Sequence, residues 1–158
     1  MNRKTFKTLI INLLNKEFNT TIYFNGKESK SKNLYLPPNS CGAAYINKKH
    51  KPIVIVWQRS FYDVVQTVFH ELGHITLHGK RSNFRGRSAI QEVEAEMVAF
   101  KTCELLNLPY NPNFKLDKHV NFINSYSKRI SKNTYPREEL INNCAMKIYN
   151  LLKDIEIK

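Results

Sequence analysis

Three histidines and a glutamate recur at helical spacing in "FHELGHITLH", residues 69–78. His70 and His74 are four residues apart, so on a helix their side chains leave one face about one turn from each other. Two imidazoles held that way can each give a ring-nitrogen lone pair to one zinc ion. Glu71, beside the first histidine, can reach a water on that ion without being a ligand itself. This is the H-E-x-x-H pattern, whose glutamate works as a general base. The same pattern also arises by chance in core helices with hydrogen-bonded histidines. The deciding feature is a third ligand, because a catalytic zinc takes three protein ligands and keeps a fourth position open.

The third ligand is expected in "QEVEAEMVAF", residues 91–100. Glu92, Glu94 and Glu96 alternate there. On a helix Glu92 and Glu96 share a face, whereas Glu94 points roughly 200° away. Ala95 and Ala99 are small on the adjoining surface, so this helix can pack closely on the histidine helix. Glu92 is then assigned to the ion. Glu96 is assigned to a hydrogen bond with the other ring nitrogen of a ligand histidine, where it fixes the tautomer, and it is also the alternative ligand. A solvated acidic face is the ordinary explanation for three acids in five residues. Against it, the chain is otherwise strongly basic, with 25 Lys and Arg against 13 Asp and Glu. His78 lies about 12 Å along the axis from His70, too far to share one ion with both other histidines. It is expected to close the helix C-terminus, where a cation is favoured. His50 and His119 are expected at the surface, and Cys41 as an ordinary loop residue. Gly73 inside the helix costs roughly 1 kcal/mol relative to Ala, which points to a close approach by a neighbouring helix or by substrate.

Together, "FYDVVQTVFHELGHITLH" and "QEVEAEMVAFKTCELLNL" resemble the ImmA/IrrE-type zincin metallopeptidases, and especially the zincin domain of ArdC-type antirestriction proteins. The resemblance covers residues 45–108 well and the C-terminal helices loosely. It implies a small zincin-like domain in which a short antiparallel sheet packs on an active-site helix and the C-terminal half is helical. It implies one Zn2+ ion on His70, His74 and Glu92, with Glu71 as the general base. The implied activity is hydrolysis of a peptide bond in a specific protein target, such as a regulator of a mobile element. The pattern of residues predicts neither the helix-turn-helix unit of many ImmA-like proteins nor, over residues 1–40, the single-strand DNA-binding domain of ArdC-type proteins.

These side chains need a scaffold, and the pattern of residues predicts one α+β domain spanning residues 1–158. Phe6, Leu9, Ile10, Leu13 and Leu14 recur with helical period over residues 4–18. Residues 20–24 are β-branched and aromatic and suit a short strand. Residues 43–47 and 52–58 flank the basic "KKHK" and read as two antiparallel strands, with Pro52 at the start of the second. That second strand is expected as the sheet edge beside the cleft, where an extended substrate can add as a strand, or as a plain core strand. Ser60 with Asp63 forms a capping box for the histidine helix, which Gly79 ends. Further helices are expected over residues 89–106, 118–130 and 136–155, with Pro136 at the first turn of the last. Tyr45, or a tyrosine from the C-terminal half, is a candidate to stabilise an oxyanion.

A formal net charge of +12 favours anionic partners. Lys80, Arg81, Arg85 and Arg87, with Phe84 interleaved, form a loop of the kind that contacts phosphates. They support an alternative function: a basic antirestriction-type protein that binds nucleic acid or a DNA-processing enzyme, with zinc mainly structural. The three cysteines include no Cys-x-x-Cys pair, so reduced thiols and a cytoplasmic location are expected. No segment approaches the roughly 20 apolar residues of a membrane span, so the expected partner is a protein or peptide substrate and not a membrane.

Overall fold

The computed structural model describes residues 3–25, 30–31, 34, 42–46, 52–56, 60–79, 89–110 and 137–155. Their order is α1 (Arg3–Glu17), β1 (Thr21–Phe24), β2 (Gly42–Ile46), β3 (Pro52–Val56), α2 (Phe61–His78), α3 (Ala89–Leu105) and α4 (Glu138–Leu152). This is an α+β arrangement. The helix expected over residues 118–130 lies outside the described residues.

Helix α1 ends in a Schellman turn. Asn19 takes the left-handed conformation (φ 46°), and Thr20 N–H donates to the Asn15 carbonyl at 3.1 Å while Asn19 N–H donates to Lys16. The Asn15 side chain then accepts from Ile22 N–H at 3.1 Å, which ties the start of β1 to the helix that precedes it. The sheet order is β1-β3-β2. β2 and β3 pair antiparallel from Gly42↔Val56 to Ile46↔Pro52, as the flanking of "KKHK" predicts. β1 pairs parallel with β3, Thr21 opposite Ile53 and Phe24 opposite Val56, so the sheet is mixed rather than antiparallel. The long connection after β1 makes this possible, because parallel neighbours need a crossover. β3 is therefore the central strand and not the edge. Its unbroken apolar run is what a strand paired on both sides requires.

Ser60 caps α2, its hydroxyl oxygen accepting from Asp63 N–H and donating to the Asp63 carboxylate at 2.6 Å. At the other end Gly79 stays right-handed (φ −31°), so the helix stops without a left-handed glycine cap. Every residue from Val64 to His74 is buried. Such burial on all sides follows from position: α2 packs on β2 and β3, on α3 and on α4. Its Val64, Val68, Phe69 and Leu72 join Leu14 and Phe18 of the first helical segment, Val98 and Ala99 of α3, and Ile141 and Ile148 of α4 in one core. Each such side chain contributes about 1.5–3 kcal/mol when fully removed from water.

The last helix begins at Glu138, with Arg137 as its N-cap, two residues later than Pro136 predicts. The reason is a tertiary demand on Arg137, whose backbone N–H and guanidinium both bind Glu94. Ile141, Cys144, Ala145, Ile148 and Leu152 then form its buried stripe. No helix among the described residues is long and apolar enough to cross a membrane.

Candidate metal centre

Helices α2 and α3 meet at Gly73. A Cβ there would stand 3.1 Å from Ala95 Cα and 3.2 Å from Val98 Cβ, so any larger residue would press the two helices apart by a few tenths of an ångström. The glycine thus has a packing role, and the close approach sets the distance across which the two helices share side chains.

Across that seam His70, His74 and Glu92 each present a ligand atom, all within 4.8 Å of one another. Glu92 Oε2 is 3.3 Å from His70 Nε2, and Glu92 Oε1 is 3.0 Å from His74 Nε2. Donors bound at 2.0–2.1 Å with tetrahedral angles stand about 3.3 Å apart. Two imidazoles and a carboxylate at these separations could hold a metal ion. The side chains of His70 and His74 are 11% and 2% exposed against 34% for Glu92, so the group is walled by the helices and open on the Glu92 side.

Glu71 is buried beside His70 but is not in the ligand group. Its position is set from the sheet: a Cβ on Gly42 would lie 3.0 Å from Glu71 Oε1 and 2.5 Å from Thr67 Cγ2. The bare backbone of β2 therefore leaves the space that the Glu71 carboxyl fills.

Glu96 is 2% exposed and meets His70 Nδ1 at 2.7 Å. This leaves Nε2 of that ring directed to Glu92, so the structure brings Glu92 to the ligand position and Glu96 behind His70. Burial works to lower the His70 pKa, but hydrogen bonds to Glu92 and Glu96 outweigh it and raise it to about 10. Burial likewise works to raise the Glu92 pKa, and its hydrogen bonds to His70 and His74 hold it well below the usual carboxylate range. Glu92 is thus ionised.

The acidic helix is not a solvated face, since Glu94 and Glu96 are 1% and 2% exposed. Glu94 does point away from the ligand group. Its carboxylate takes His78 Nε2 at 3.1 Å, and it accepts from Arg137 Nη2 at 2.7 Å and Nε at 2.9 Å. His78 is outside the ligand group and ends α2, as expected, but it is buried, with its Nδ1 3.0 Å from His74 Nδ1.

Tyr110 donates its hydroxyl to Glu96 Oε1. It reaches there because α3 ends in a second Schellman turn, with Asn107 left-handed (φ 52°) and Leu108 N–H donating to the Cys103 carbonyl at 2.9 Å. Its ring also meets Phe100 edge-on at 5.1 Å. A tyrosine of the C-terminal half is therefore at the centre, but its hydroxyl supports Glu96.

His78, Arg137, Tyr110 and Gly42 are the contributors that the sequence pattern did not assign. His78 carried a signal in its i+8 spacing from His70, and Asn107 marked the turn before Tyr110. Arg137 is 43 residues from Glu94 and carried none. Lys80, Arg81, Arg85 and Arg87, together with Cys41, His50, His119 and the side chain of Tyr45, lie outside the described residues. Compared with protein-family models, with curated proteins and with solved structures, the chain finds no match.

Proposed function

We propose that the chain is a zinc-dependent metallopeptidase of the ImmA/IrrE-like zincin kind, acting on a specific protein. The observation that carries this is the convergence of His70 Nε2, His74 Nε2 and the Glu92 carboxylate, with Glu71 buried one residue from the first ligand. The donor set, two imidazoles and one carboxylate, is the one used by catalytic zinc in peptidases. A bound zinc ion would supply Lewis-acid polarisation of the scissile carbonyl and of a water beside it.

The chain's own groups supply the rest. Glu71 takes a proton from the attacking water and returns it to the leaving amine. Glu96 holds the proton of His70 on Nδ1, so that the Nε2 lone pair is free for the ion. With β3 inside the sheet, an extended substrate would add to β2, on whose Gly42 the Glu71 carboxyl rests. Glu71→Gln keeps the size of the side chain and the metal ligands but removes the base. It is expected to retain one zinc per chain and to lower peptide cleavage by about 10²–10⁴-fold. Unchanged cleavage by the zinc-loaded variant sinks the peptidase reading.

A second function, binding of nucleic acid or of a DNA-processing enzyme with zinc as a structural ion, is favoured by the net charge of +12. Its nucleic-acid arm requires DNA binding that weakens steeply with salt, and no binding at low salt would remove that arm.

A further inference from the structure

We propose that His78 is a positioning residue that carries the influence of Glu94 and Arg137 to the metal ligand His74. The inference rests on the metal reading above and concerns hydrogen-bond direction.

His74 meets Glu92 through Nε2, so that nitrogen needs its lone pair for the ion. A neutral imidazole with a bare Nε2 carries its proton on Nδ1. His74 Nδ1 is 3.0 Å from His78 Nδ1, so His74 donates and His78 must accept there. A neutral His78 that accepts through Nδ1 carries its own proton on Nε2, which lies 3.1 Å from Glu94 Oε1. Glu94 can only accept as a carboxylate. It is held by Arg137 through Nη2 at 2.7 Å, Nε at 2.9 Å and the backbone N–H at 3.1 Å. Every donor in the series therefore points the same way, from His74 to His78 to Glu94, and Arg137 closes it from the far side.

The series gives His74 what His70 receives directly from Glu96: a carboxylate behind the ring that fixes the tautomer and makes the ligand more basic. His74, His78 and Glu94 are all buried, where successive hydrogen bonds polarise one another more than in water. Arg137 extends the series to the fold. It is the N-cap of α4 and also donates to the Leu77 carbonyl at 3.4 Å, so the seating of α4 bears on a metal ligand in α2.

The test uses the full chain. Zinc stoichiometry and affinity are measured by competition with a chromophoric chelator, and histidine tautomers by long-range ¹H–¹⁵N NMR of the zinc-loaded protein. The wild type is expected to bind one zinc, with His74 protonated on Nδ1 and His78 on Nε2 only. A proton on His78 Nδ1 overturns the proposal. His78→Phe keeps a ring but removes both polar atoms, and is expected to weaken zinc binding about 10–100-fold. Arg137→Ala should weaken it in the same direction by less. His78→Gln, whose amide can accept from His74 and donate to Glu94, should recover part of the loss. Unchanged affinity in a folded His78→Phe protein overturns the proposal while leaving the peptidase reading intact. Folded wild type that binds no zinc removes both. Should His78→Phe fail to fold, the wild-type tautomers decide.

Discussion

Gly42 on β2 and Glu71 on α2 share one van der Waals surface: a Cβ added to the glycine would stand 3.0 Å from the glutamate's Oε1. The proposed general base is thus seated by the sheet as much as by its own helix. The same Cβ would come within 2.5 Å of Thr67 Cγ2. Gly42→Ala is expected to cost about 1–3 kcal/mol in stability through overpacking. A displaced Glu71 should lower kcat about 100-fold, the scale of a 1 Å misplacement, with zinc stoichiometry unchanged. Adding Thr67→Ser removes the methyl that clashes and should restore the melting temperature but not the turnover. Thermal unfolding and peptide cleavage on the same samples separate the two effects.

Glu92 and Glu96 touch the same histidine from opposite ring nitrogens, and removal of each should read differently. Glu92→Ala is expected to abolish stoichiometric zinc. Glu96→Ala is expected to keep it with affinity lower by about 10–100-fold. Zinc that survives loss of Glu92 but not of Glu96 would exchange their roles. Protons compete for the same site, because His70 is raised to about 10 by its two carboxylates and must lose a proton to ligate. Zinc affinity should therefore rise with pH up to that value, by as much as about tenfold per pH unit from this group. Chelator competition across a pH series gives the slope, and a flat profile contradicts it.

Glu94 should contribute to the acid sensitivity of the fold. Burial opposes its ionisation, but hydrogen bonds from His78 and Arg137 prevail and lower its pKa from 4.5 to about 2. A depressed carboxylate stabilises the fold above its unfolded pKa, and that contribution is lost as pH falls towards the folded value. The stabilisation at stake is on the order of 2–3 kcal/mol. In metal-free protein, Arg137→Met should therefore flatten the loss of stability below about pH 4.5 relative to wild type. Denaturant titrations of both proteins at several acid pH values provide the comparison, and parallel curves would count against it.

The parts of the fold that sequence reveals are those governed by local rules. The Ser60–Asp63 cap, the apolar period of α2 and α4, and the pairing of β2 with β3 all follow from neighbours within a few residues. The parallel seating of β1 against β3 depends on a crossover and leaves no local mark. The grouping of the candidate metal centre follows from the same local rules: two helical spacings place His70 with His74, and Glu92 with Glu96. His78 ends α2 as expected, but its burial was not legible, because its partner Glu94 sits on the far side of α3, where helical spacing predicts separation from His70 and His74 but not what it meets instead. A buried carboxylate needs partners, and here they come from the end of one helix and the start of another.

The contact at Gly73 also bears on the proposed metal centre. The spacing of α2 and α3 is fixed by glycine against the Ala95 backbone and Val98, within a core that extends to the sheet and to α4. The backbones that carry His70, His74 and Glu92 are therefore set against each other by apolar contact. A larger side chain at Gly73 would part the two helices and loosen the proposed metal centre through the backbone, without touching one of its side chains. Which divalent metal such a site would take depends on the helix spacing that sets its geometry, on its two imidazoles and one carboxylate, and on the metals available.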